Sequence, residues 1–148
     1  MAKKIKIDID FSQDNFLVAI SCHQKDYWIA YRLNEALKLN LKRMNDLPVF
    51  QSKMEKLVEY PLFSYEDPDT NVGYYLISNH NPESKLFPAQ RTTDYLLLAN
   101  GTVGASEKKV LLERIKKIPK VLTAYELELS RMKNIDSFLS DLELFMLD

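Results

Sequence analysis

The sequence predicts a single α+β domain over residues 1–148, built as a mostly antiparallel sheet with helices gathered on one face and a C-terminal amphipathic helix. Three observations carry this. Residues 5–11 alternate apolar and charged side chains, and Tyr95-Leu96-Leu97-Leu98-Ala99 is a continuous apolar run. Residues 135–146 place Ile135, Phe138, Leu139, Leu142, Phe145 and Met146 on one helical stripe.

Taken in order, Ile5, Ile7, Ile9 and Phe11 point one way with Lys4, Lys6, Asp8 and Asp10 between them, which predicts a half-buried strand. Residues 16–20 are apolar and fit a short strand or an early helical turn. Ser21-Cys22-His23-Gln24 has the form of a capping box, so a helix is expected from there to about Leu39, with Tyr27, Ala30, Tyr31, Leu33, Ala36 and Leu37 as its apolar stripe. Asn40 suits a left-handed residue after its end, and Lys38, Lys42 and Arg43 suit the negative pole of its dipole.

Residues 56–65 read as a strand in which Pro61 marks an edge or a bulge. The polar turn 66–71 leads to a partner strand over 72–79. Leu86-Phe87-Pro88 is a short apolar piece, and 93–99 is a strand buried on both faces, hence central. Ser106 can cap a helix running to about Ile118, which Pro119 ends. Alternation over 121–129 predicts a last strand before the tail helix. The resulting order is β-α-β-β-β-α-β plus the tail helix.

Composition narrows the functions. Twenty Lys and Arg against 21 Asp and Glu leave a net charge of −1, so no overall field draws the chain toward nucleic acid. The single cysteine, Cys22, rules out an internal disulfide or a multi-cysteine zinc site. No apolar run is long enough to cross a membrane, and the basic start is followed by acidic residues rather than a signal-peptide core. A cytoplasmic setting is the expectation.

His23 and His80 are far apart and lack metal-ligand spacing, so no metal and no cofactor are expected. Cys22 near a helix start is a nucleophile only if a base sits beside it, and the sequence supplies none. Asn100-Gly101-Thr102-Val103-Gly104 occupies the place of a phosphate loop but lacks its spacing, and a strand-to-helix turn accounts for it. Glu66, Asp67 and Asp69 cluster in a turn, where such residues belong for backbone reasons. Lys108, Lys109, Arg114, Lys116, Lys117 and Lys120 form a basic helix over 108–120 that can meet phosphates, with Tyr74, Tyr75 or Tyr95 as stacking partners. Glu107 and Glu113 interrupt it, and a Glu113–Lys117 pair would make it an ordinary solvated face.

The segment Phe87-Pro88-Ala89-Gln90-Arg91-Thr92-Thr93-Asp94-Tyr95 resembles the signature of the IPExxxVDY family, small uncharacterised proteins of Bacteroidetes-type bacteria. Pro88, Asp94 and Tyr95 match in register, while Phe87, Ala89 and Thr93 stand for Ile, Glu and Val. The Lys4-Ile5-Lys6-Ile7-Asp8 opening and the stretch His23-Gln24-Lys25-Asp26-Tyr27 are similar to the same family's N-terminal half. The resemblance implies a bacterial cytoplasmic protein with no assigned activity. Because Ala89 replaces the Glu, a catalytic acid there is not available. The residues read as a strand approach in which Pro88 fixes an extended chain and Asp94 accepts backbone amides.

The functional expectation is a non-enzymatic protein-interaction or regulatory module. It would act on an unknown protein partner or as a homo-oligomer, with the apolar tail stripe either docking there or packing internally. An RNA-associated protein using the 108–120 helix is the alternative, and an enzyme of unrecognised type is third.

Overall fold

Patterning of period two, filled on both sides, decides the centre of the molecule. The computed structural model describes residues 14–147, so the predicted 5–11 strand lies outside the described residues. Strands β1 (Asn15–Ser21), β6 (Val72–Ser78) and β7 (Tyr95–Asn100) are buried along nearly their whole length. They form the middle of a six-stranded antiparallel sheet in the order β2-β5-β6-β7-β1-β8. Here β2 is Lys42–Arg43, β5 is Leu62–Asp67 and β8 is Thr123–Glu126. A separate hairpin pairs β3 (Leu47–Gln51) with β4 (Lys56–Tyr60).

The two sheet faces carry two cores. Phe16, Val18, Ile20, Leu76, Tyr95, Leu97 and Ala99 meet α1 (Asp26–Leu37) and α2 (Ala105–Lys116) on the first face. Leu17, Ala19, Tyr75, Ile77, Leu96 and Leu98 meet the β3–β4 hairpin and α3 (Ile135–Leu147) on the second. An antiparallel strand normally keeps one wet face, and these three read as unbroken apolar runs because neither face is wet. The α+β class with a mostly antiparallel sheet is therefore what the chain forms, and α1 and α2 share one face.

Several boundaries differ from expectation. Residues 16–20 belong to β1, and Ser21 ends that strand instead of capping a helix. Its hydroxyl is spent on Thr92 O at 2.6 Å, so the predicted capping box does not exist. Helix α1 starts at Asp26 and ends at Leu37, and Lys38 rather than Asn40 takes the left-handed position (φ 57°). Asn34 sets that early stop by pairing with Leu41 through both ends of its amide, at 2.8 and 3.2 Å. Only Ile29, Ala30, Leu33 and Leu37 are buried on α1, leaving Tyr27 and Tyr31 outside.

The expected 56–65 strand breaks at Pro61 into β4 and β5, which belong to different sheets. Proline removes an amide donor, and the chain uses that gap to change sheets. Strands β2 and β3 add to the expected element order. At the start of α2 the cap is Gly104 instead of Ser106, with Glu107 Oε1 accepting from Gly104 N at 3.1 Å. The turn before it needs Gly101, whose φ is +138° and whose Cβ would stand 3.0 Å from Asn71 O.

Candidate functional site

The IPExxxVDY-like segment forms one corner of the sheet, where β1 leaves for α1 and the 79–94 loop returns into β7. Asn79 builds the loop. It is fully buried at the end of β6, its Nδ2 donates to Thr93 O at 2.9 Å and to Gln90 O at 3.2 Å, and its Oδ1 accepts from Phe87 N at 2.7 Å. Its backbone carbonyl accepts from Leu86 N at 3.0 Å. One side chain thereby supplies the partners that an irregular buried loop lacks. Leu86 and Phe87 are pressed into the second core, and Phe87 meets Phe138 of α3 edge-on at 5.2 Å.

Asp94 ties the loop to the start of α1. Its Oδ2 accepts from Cys22 N at 2.8 Å, its Oδ1 accepts from His80 Nε2 at 2.7 Å, and its own amide donates to Ile20 O at 2.9 Å. The side chain is 14% exposed, against 47% for His80. Tyr95 is buried and its hydroxyl donates to Gln24 O at 2.5 Å. Burial pushes the Tyr95 phenol well above its usual range, with the charge of Asp26 acting the same way, so it stays a neutral donor. Pro88 is exposed at the loop's turn.

These contacts bring Cys22, His80 and Asp94 to one place, a Cys–His–Asp grouping that the sequence conceals because the three are far apart in the chain. The thiol is buried, and desolvation pushes it above its ordinary value, with Asp94 adding in the same direction. A nucleophilic cysteine needs the opposite shift. Asp94 and His80 here hold a backbone corner, and Thr93 Oγ1 is buried without a hydrogen-bond partner among the described residues. Replacing Asp94 by Ala strands the Cys22 amide and is expected to cost about 2 kcal/mol of stability, read as a lower urea midpoint at unchanged slope.

The basic set lies on the outer side of α2. Lys109, Arg114, Lys116, Lys117 and Lys120 are exposed and make no ion pair among the described residues, while Lys108 lies over the Phe16 ring at 5.4 Å. The expected Glu113–Lys117 ion pair does not form. Tyr74, Tyr75 and Tyr95 are buried in the sheet and cannot stack on a ligand. On the neighbouring α1, however, Tyr27 and Tyr31 stand 66% and 60% exposed one turn apart. Beside them Arg32 lies over Trp28 at 5.2 Å. The charges are segregated along the chain: residues 105–120 hold six basic and two acidic side chains, and residues 121–148 hold two basic and six acidic. Because α2 and α3 cover opposite sheet faces, a net charge near zero conceals a basic layer and an acidic one.

Among the described residues no three His, Cys, Asp or Glu side chains converge to hold a metal ion, and no helix is long and apolar enough to cross a membrane. Glu66, Asp67 and Asp69 lie in and beside the β5–β6 turn, where Asp67 Oδ1 accepts from Asp69 N at 3.0 Å. The tail stripe is settled as internal, since Ile135, Phe138, Leu139 and Leu142 are buried in the second core. No family model matches the chain, nor does any curated protein or solved structure.

Proposed function

We propose that this chain is a non-enzymatic, cytoplasmic interaction module that binds a partner protein through the α1–α2 layer. The observation that carries it is the exposed Tyr27–Tyr31 pair on α1, the helix that packs against α2, whose exposed cations make no ion pair among the described residues. Tyrosine supplies a large contact area at low entropic cost, and interfaces favour an aromatic centre with a charged rim. The partner that fits presents acidic side chains around apolar ones. We also read residues 87–95 as the IPExxxVDY signature of a bacterial family, with Pro88, Asp94 and Tyr95 in a structural role.

The test is recovery of partners by the tagged full chain at near-native abundance, with and without nuclease. A reproducible protein partner that survives nuclease and is lost when Tyr27 and Tyr31 are both replaced by Ala is the expected result. No reproducible partner, or one retained by that double variant, would overturn the proposal. The basic cluster, which makes no ion pair among the described residues, favours a second reading, RNA association through Lys108, Lys109, Arg114, Lys116, Lys117 and Lys120. Recovered material that is nuclease-sensitive, and whose binding weakens steeply with salt, would replace the first reading by this one.

A further inference from the structure

We infer that the partner of the α1–α2 layer is the outer face of α3 on a second copy of the chain, so that copies stack head to tail. This rests on the reading of the α1–α2 layer given above and names the partner for it. That layer calls for acidic side chains around apolar ones, and α3 presents them. Ile135, Phe138, Leu139 and Leu142 are spent on the second core, which leaves residues 137, 140, 144 and 147 on the opposite side of the helix. A helix with a buried stripe normally turns polar residues to water there. Here Leu144 is 66% exposed and Leu147 59%, one turn apart. Asp141 lies one turn before Leu144, and Asp136 one turn before Ser140. The helix carries Asp136, Asp141 and Glu143 and no Lys or Arg.

The α1–α2 layer has the opposite character. Tyr27 and Tyr31 on α1 and Val110 on α2 are its exposed apolar side chains, and Arg114 and Lys117 follow Val110 at one and two turns. Glu107 and Glu113 share α2, yet six cations over residues 105–120 outnumber them and leave the layer positive. Each surface therefore has an apolar centre with charged flanks, and the flanks are of opposite sign. The two surfaces cover opposite faces of one sheet, so a chain cannot join its own pair, whereas two copies can. A two-fold pairing of like surfaces would set cation against cation or carboxylate against carboxylate. Only the heterologous arrangement, α3 of one copy on the α1–α2 layer of the next, brings opposite charges together, and it repeats without closing.

Sedimentation velocity of the full chain over a wide concentration range tests this. The mean mass should rise with concentration past the dimer without a plateau, and less steeply in high salt. Replacing Tyr27 and Tyr31 together by Ala, or Leu144 and Leu147 together by Lys, should each weaken association by about tenfold or more. Mixing the two variants should then restore association that stops at the dimer, because each supplies the surface that the other lacks. Asp136→Asn with Asp141→Asn keeps the shape of α3. It should weaken association about threefold and flatten its salt dependence, and it decides the matter if the leucine variant fails to fold. A chain that stays monomeric, a parent that stops at the dimer, or variants that do not complement each other would overturn the inference. If the leucine and Asp→Asn variants associate as the parent does while the tyrosine variant does not, α3 is not the partner and the reading of the α1–α2 layer stands. If the tyrosine variant associates as the parent does, that reading fails as well.

Discussion

Replacing Asn79 by Ala is expected to lower stability by about 3 kcal/mol, a large share of what a domain of this size holds in reserve. The loss comes from the groups that Asn79 satisfies. Without its amide, Phe87 N–H and the Thr93 carbonyl are left buried and unpaired, and the 86–93 loop loses its anchor. Asn79→Asp should cost more than Ala, although it is nearly isosteric. A carboxylate would face the carbonyls of Gln90 and Thr93 where the amide now donates, and burial would oppose its charge. Its pKa in the folded state would be raised, so the protonated form would support folding and the deficit of this variant should shrink as pH falls toward the usual carboxylate range. Urea unfolding of the parent and both variants at neutral and mildly acidic pH checks the order and its sign.

Phe138→Ala should be comparably severe, at about 3 to 5 kcal/mol. The ring is buried in α3 and rests edge-on against Phe87, so the cavity would open between the tail helix and the motif loop. Little can collapse to fill it, because Leu139 and Leu142 are already packed against the sheet. If the tail stripe were instead a docking face for a partner, the same substitution would spare stability. Thermal unfolding followed by circular dichroism separates the two cases.

Much of the fold was legible because patterning and burial are the same physics. The 95–99 run marked the central strand, the 72–79 strand found its hairpin partner, and the tail stripe gave α3 almost to the residue. What escaped detection depended on tertiary partners. Ser21 looks like a helix cap until Thr92 takes its hydroxyl. Residues 42–51 carry Lys42, Arg43 and Pro48 and show no strand pattern, yet the Leu62 carbonyl accepts from Met44 N at 2.9 Å beside β2, and Tyr60 lies opposite Leu47. Pro61 signals an edge or a bulge in the sequence, and in the structure it marks a change of sheet.

The candidate site was legible in its ends and not in its middle. Asp94 and Tyr95 stand out as a motif; Asp94 accepts from the backbone amide of Cys22, while the Tyr95 hydroxyl bond to Gln24 O has no sequence signal. Asn79 looked like an ordinary strand end, and His80 like an isolated histidine. The polar run Ser78-Asn79-His80-Asn81 after a wholly apolar strand was the available signal. Buried loops must find donors and acceptors somewhere, and such a run is where they come from. The basic helix was visible as a cluster, whereas the exposure of Tyr27 and Tyr31 was not, because helical spacing alone assigned them to the buried stripe.

The central claim is that the motif corner builds the fold while the α1–α2 layer makes the contacts. It is tested most directly by measuring urea stability and partner recovery side by side on Asp94→Ala and on the Tyr27→Ala, Tyr31→Ala double variant, at a temperature where both remain folded. The expected result is a crossed one: the first variant loses about 2 kcal/mol and keeps its partner, and the second keeps its stability within about 0.5 kcal/mol and loses the partner. If Asp94→Ala abolishes partner recovery while the double tyrosine variant leaves it intact, the assignment of roles is reversed.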